Sequence, residues 1–152
     1  MLTNELMAFL KGGLDLQLAT RDDAFRPSGV RVTAIAVDHD GQHLDLFIPK
    51  VGAEVTLANL RSNGQAALLC GHASDNITYQ LKGAFVSTRA AAARDRAFVE
   101  AQWIKFQDDL QRIGFPATAT ATWTTWPSVK VRIRLTAVFL QTPGPGAGAM
   151  AP

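Results

Sequence analysis

The stretch Leu44–Cys70 restricts the fold more than any other part of the chain. It reads LDLFIPK, then VGAEVTLANLRSNG, then QAALLC. Leu44, Leu46 and Ile48 alternate with Asp45 and Phe47, the period of a strand with one face turned inward. Pro49 removes the next ladder donor and stops that strand. Ala53 to Arg61 has room for a short helix with Leu57 and Leu60 inward, and Asn63-Gly64 turns into a second apolar strand, Gln65–Cys70. A loop and helix start of this kind gathers backbone N–H groups at the positive end of a helix dipole, which suits an anion. Lys50 stands just before it.

The flanking sequence reads mostly as further strands. Leu14, Leu16 and Leu18 alternate with polar or small residues. Val30–Val37 is apolar on both faces except at Arg31, so it is expected to be covered on both sides. Asp38-His39-Asp40-Gly41 reads as a hairpin turn. Ile77–Ser87 is a long strand interrupted by Gly83, which signals a bulge or a close backbone approach. In Ser128–Gln141, Val129, Val131, Ile133 and Leu135 alternate with Lys130, Arg132 and Arg134. Thr3 or Asn4 caps a first helix. Arg89–Ile113 is predicted as one long helix, with Val99, Trp103, Phe106, Leu110 and Ile113 as its apolar stripe. Gly114 and Pro116 end it. The Thr/Ala/Trp segment 117–126 has no assignable period and is long enough to form a lid or a crossing.

Six strands joined largely by hairpins, one short helix between strands and one long helix before the last strand predict a mainly β (α+β) domain over residues 1–141. The expected architecture is a closed or nearly closed antiparallel barrel. The Pro/Gly/Ala-rich tail, 142–152, is expected to be flexible.

Composition narrows the function. The net charge is only +2 over 152 residues, which argues against a dedicated nucleic-acid binder. The single cysteine, Cys70, lies in an apolar run and reads as a core residue. No disulfide frame is possible within the chain, which is compatible with a reducing cytoplasm. No apolar run approaches a membrane span, and no basic-then-apolar leader opens the chain. The three histidines show no HExxH or paired spacing, so no metal site is expected. Catalytic elbows of the GxSxG type and glycine-rich phosphate loops are absent from the sequence.

The candidate binding residues are polar groups in apolar settings. Arg31 needs a partner in its strand, either an anionic ligand or Asp15 or Asp45. Lys50 and Thr56 flank a helix start and suit a phosphate, although Glu54 lies between them. Gln80 and Lys82 sit on the polar face of their strand beside Gly83, placed either for the edge of a planar heterocycle or for solvent. Lys130, Arg132 and Arg134 form a basic row, which a plain solvated face also explains. Trp123 and Trp126 are suited to stacking on a ring or to covering the core.

The run Leu18–Ser87 resembles the pyridoxamine 5′-phosphate oxidase-like, FMN-binding split-barrel proteins. The segments that carry the likeness are LATRDDAFRPSGVRVTAIAVDHDGQHLDLFIPK, VTLANLRSNGQAALLC and TYQLKGAFVS. The resemblance implies a six-stranded antiparallel split barrel, a homodimer, and FMN in the groove between subunits. By position, it implies cofactor contacts at Arg31-Val32-Thr33, at Ile48-Pro49-Lys50 with Thr56, and at Thr78, Gln80 and Lys82. Three departures stand out. Ala36 replaces a substrate-binding lysine of the oxidases, Glu54-Val55 replaces an Arg-Lys phosphate pair, and the arginine-histidine signature near the C-terminus is missing. These argue against pyridoxamine phosphate oxidation itself.

The function this implies is an FMN-dependent, oxidoreductase-like protein acting on a small molecule, with no residue nominated as catalytic. The alternatives are a non-catalytic module for another flat anionic ligand, such as a deazaflavin or haem, and a structural dimer with an empty groove.

Overall fold

A computed structural model describes residues 2–151. Thr3 Oγ1 accepts from the Leu6 N–H at 3.2 Å and caps α1, Asn4–Phe9. The strands are β1 Asp15–Arg21, β2 Pro27–Val32, β3 Ala34–Val37, β4 His43–Pro49, β5 Gln65–Gly71, β6 Thr78–Ala90 and β7 Ser128–Leu140. Helix α2, Glu54–Asn63, lies between β4 and β5, and α3, Arg96–Arg112, lies between β6 and β7. Every pairing is antiparallel, in the order β2-β1-β5-β6-β7-β4-β3.

The sheet has seven strands where the sequence predicts six, because the expected strand Val30–Val37 is broken at Thr33. β2 pairs with β1 at one end of the order, and β3 pairs with β4 at the other. Val32 and Ala34 therefore belong to opposite edges, and the residue between them curls the sheet onto itself. Thr33 holds this junction through the Phe47 carbonyl, to which it donates from its N–H at 2.8 Å and its hydroxyl at 3.1 Å. Taken as one bent strand, β2 and β3 restore the expected six.

The inward side chains fill the barrel. Leu18 faces Leu68, which faces Leu81, and all three are fully buried. Leu44 and Leu46 stand opposite Ile133 and Val131, also fully buried. Burying each such side chain stabilises the fold by about 1.5–3 kcal/mol. Leu6 and Leu10 from the N-terminal segment and Leu60 from α2 complete the same cluster.

The β6–β7 register shifts twice, between Lys82 and Gly83 and between Phe85 and Ser87. At the first shift a Cβ on Gly83 would stand 3.0 Å from the Arg134 carbonyl oxygen. The bulge and the close approach signalled by this glycine are thus both present.

The long helix begins later than its pattern predicts. Arg89 and Ala90 remain in the ladder opposite Lys130 and Val129. A single turn, Ala93–Asp95, then leads into α3 at Arg96. Sheet pairing overrides the helix propensity of the alanine-rich run. Within the stripe Val99, Trp103 and Phe106 are buried, while Ile113 is exposed. After β7 the chain turns back on itself. Leu140 donates to Ala149 at 2.9 Å and accepts from Gly148 at 2.7 Å. Among the described residues, no helix is long and apolar enough to cross a membrane.

Candidate functional site

With Leu18, Leu68 and Leu81 turned inward, the alternate residues of β1, β5 and β6 face outward. Ala19 then stands opposite Ala67, and Ala67 opposite Lys82. Two alanines and the neighbouring Gly83 leave a shallow floor with little side-chain bulk. The result is a groove of about 380 Å³ with Ala19, Ala67 and Gly83 as floor and Arg21, Gln65, Lys82 and Thr136 around it. That volume is within the usual range for a small-molecule site.

The groove has a cationic rim, and no carboxylate lines it. The Arg21 guanidinium donates to the Asp22 carbonyl at 3.0 Å and lies 4.3 Å from the Phe25 ring centre. The Lys82 ammonium lies 5.0 Å from the Phe139 ring centre and its side chain is exposed. A flat, partly apolar molecule with a negative group matches these surfaces.

Of the ten residues proposed from the resemblance, Lys82 alone lines this groove. Barrel closure brings the first two groups together, because Thr33 bonds to Phe47 beside Ile48. Val32, Ile48 and Pro49 are buried there, and Thr33 is engaged with Phe47. Arg31 Nη1 lies 2.6 Å from Asp15 Oδ1, and its guanidinium covers the Trp123 ring at 4.3 Å. Lys50 is exposed, and its N–H donates to Pro127 at 2.8 Å. Thr56 is buried in the first turn of α2, where Glu54 is the charged residue and Ala53 provides no side-chain cap.

The third group lies apart within one chain. Arg31, Gln17, Leu69 and Gln80 are successive cross-strand neighbours. Gln80 is therefore three strands from Arg31, about 14 Å away across the sheet. Thr78 Oγ1 donates to the Asn76 carbonyl at 3.0 Å, and the Thr78 N–H donates to Thr142 Oγ1 at 3.0 Å.

Sequence reasoning missed Arg21, Gln65 and the alanine floor. The alternation of Leu16 and Leu18 already turns Ala19 and Arg21 outward, but only the pairing of β1 with β5 sets them beside Gln65 and Ala67. The segment 117–126 packs on α3, with Trp123 5.7 Å from Trp103 and 6.4 Å from Phe106 between ring centres.

The basic row on β7 is partly neutralised. Lys130 and Arg132 meet the two oxygens of Asp45 at 2.8 and 2.9 Å, and Arg132 also pairs with Asp38. The Asp45 hydrogen bond helps hold the Arg132 pKa above its ordinary value. Burial pushes the Cys70 thiol well above its ordinary range, so it is not a thiolate nucleophile at neutral pH. Among the described residues, no three His, Cys, Asp or Glu side chains gather where they could hold a metal ion.

No family model matches this chain, and no curated protein does. Solved structures do. HupZ of Group A Streptococcus matches 97% of this chain and 100% of its own, with a TM-score of 0.59 and 17% identity. A candidate pyridoxamine 5′-phosphate oxidase from Lactobacillus delbrueckii matches 91% of this chain and 93% of its own, at TM-score 0.56 and 15% identity. The fold is the split barrel of the pyridoxamine 5′-phosphate oxidase-like proteins. An FMN-binding protein from Syntrophomonas wolfei matches 88% of this chain and 84% of its own, at TM-score 0.53 and 11% identity. At such identities the split-barrel correspondence is one of backbone path, and it assigns no role to any residue.

Proposed function

We propose that this split barrel binds FMN on its outer face and works as a flavin-dependent oxidoreductase in a homodimer. The observation that carries the reading is the groove of about 380 Å³ over Ala19, Ala67 and Gly83, rimmed by Arg21 and Lys82. The small floor suits an isoalloxazine ring, and the Gln65 amide suits its polar edge. Arg21 and Lys82 offer charge-assisted hydrogen bonds to the phosphate. A bound flavin would supply reversible acceptance of a hydride or of single electrons. The chain's own residues bind and orient it.

The distribution of the polar groups supports the dimer reading. The Arg31 and Lys50 edge is separated from the Gln80 and Lys82 strand within one chain, and a second copy would supply the missing half. Leu69, 39% exposed, lies in the row beside the groove and offers apolar contact area. Ala36 and Glu54-Val55 leave pyridoxamine phosphate oxidation itself unsupported.

The test is an absorption spectrum of the purified full chain after loading with FMN and removal of the excess by gel filtration. A retained flavin band at dimer mass is the expected result. A colourless protein that takes up no FMN overturns the flavin reading. Glu54, in a first helical turn without a cation, favours a second reading, a flat anionic ligand other than FMN such as a deazaflavin or haem. Loading with those two molecules separates the readings.

A further inference from the structure

A second pocket lies farther along the same outer face. It has a volume of about 220 Å³ and is lined by Asp45, Ser87, Arg89, Lys130 and Arg132. Three cations and one carboxylate thus line it, and Arg132 also pairs with Asp38 beyond the lining. Both oxygens of the Asp45 carboxylate are already taken, Oδ2 by Lys130 at 2.8 Å and Oδ1 by Arg132 at 2.9 Å. Arg89 is exposed and has no carboxylate partner among the described residues. It also stands directly opposite Lys130 in the β6–β7 ladder. Two like charges facing each other across strands destabilise the sheet unless an anion lies between them.

The backbone is shaped to produce this arrangement. Phe85 faces inward, opposite Ile133. Strict alternation from there would turn Ser87 and Arg89 inward as well. Instead the register skips Val86, and Ser87 pairs with Arg132 while Arg89 pairs with Lys130. The bulge therefore turns a hydroxyl and a guanidinium outward, beside two further cations. Re-aiming side chains at a site is a common role of bulges.

We propose that Ser87, Arg89, Lys130 and Arg132 form a binding site for a phosphate-class oxyanion. Arg89 offers a planar pair of donors, Ser87 a hydroxyl, and Lys130 the ammonium donors that Asp45 leaves free. Asp45 keeps Lys130 and Arg132 aimed along the sheet and discriminates against ligands that cannot meet Arg89. The anion arrives either as free phosphate or as the phosphoryl group of a small metabolite. This site stands independently of the flavin reading.

Calorimetric titration of the full chain at constant ionic strength tests the proposal, with inorganic phosphate and glycerol 3-phosphate as separate probes. Saturable binding of at least one probe is expected. Arg89→Gln should weaken it by about tenfold or more, the usual scale for a lost charge-assisted hydrogen bond. Arg134→Gln removes the same charge from the neighbouring strand β7, outside the pocket, and should leave the affinity unchanged. Ser87→Ala provides a milder second variant that leaves the charges in place, and it should also bind more weakly. Tighter binding of glycerol 3-phosphate assigns the site to a phosphorylated metabolite, and equal binding assigns it to free phosphate. No saturable binding of either probe, or equal losses in Arg89→Gln and Arg134→Gln, overturns the proposal.

Discussion

Thr33 donates twice to one acceptor, the Phe47 carbonyl, through its N–H at 2.8 Å and its hydroxyl at 3.1 Å. This pair ties the bend between the two edge strands, β2 and β3, to β4, so the hydroxyl acts on closure of the barrel. Thr33→Val keeps the shape and removes one of the two donors. A loss of about 0.5–1.5 kcal/mol is expected, seen as a lower urea midpoint with an unchanged slope. An unaltered midpoint would show that the N–H bond alone holds the junction.

Gly83→Ala should cost more. The added Cβ would meet the Arg134 carbonyl oxygen and the Ile133 Cδ1, both at 3.0 Å. The oxygen belongs to the β7 backbone and has little freedom to withdraw. About 1–3 kcal/mol of destabilisation is expected, read from thermal or urea unfolding. Because Gly83 is part of the groove floor, flavin retention should fall in the same variant.

Lys82→Gln tests the groove without touching the core, since Lys82 is exposed. FMN affinity should fall by about tenfold while the unfolding midpoint stays in place. Fluorescence titration of the loaded and stripped protein measures the first, and urea unfolding measures the second. Equal FMN affinity in wild type and variant would remove Lys82 from the site.

Arg31→Ala asks whether the other edge takes part. Its pairing with Asp15 is partly exposed, so the stability change should stay within about 1 kcal/mol. Under the dimer reading flavin affinity drops markedly. An unchanged affinity would confine Arg31 to its contacts with Asp15 and Trp123.

The β3–β4 hairpin carries a pH signature. Asp40 accepts from the Gln42 N–H at 2.8 Å and the His43 N–H at 3.0 Å, and meets His43 Nδ1 at 2.5 Å. The Gln42 N–H bond is the largest cause, followed by the His43 side chain, and together they lower its pKa from 3.8 to about 2. A carboxylate whose folded pKa lies below its unfolded value stabilises the fold above the unfolded value. That stabilisation fades as pH falls from 3.8 through about 2. Asp40→Asn should flatten this part of the stability profile in acid unfolding. A profile that keeps its full steepness in the variant would rule Asp40 out as its source.

How much of this was legible in the sequence depends on whether a feature is local. The alternation of Leu14, Leu16 and Leu18, and of Val129, Val131 and Ile133, gives the inward faces directly. The turn at Asp38–Gly41 and the irregularity at Gly83 have residue-level signals that the structure bears out. The break at Thr33 has none. A β-branched residue between two apolar runs reads as continuous strand, and only the pairing of each half with a different edge reveals the junction. The groove was hidden for a related reason. Its floor is made of alanines with no chemistry of their own, and the register of β1, β5 and β6 turns them into a surface. Ser87 and Arg89 face outward because the ladder skips Val86, which nothing in the local sequence announces.

Closure at Thr33 also sets an order of events during synthesis. β4 pairs with β3 on one side and on the other only with β7, residues 128–140. The half-barrel of β1, β2 and β5 can assemble as soon as residue 71 has emerged. The β3–β4 hairpin then waits, with Leu44, Leu46 and Ile48 uncovered, for a strand that begins only at Ser128. Contacts this distant in sequence form slowly, and a waiting open edge is where a nascent chain is most exposed to wrong pairing. The nascent chain is therefore most vulnerable in the interval before β7 emerges from the ribosome.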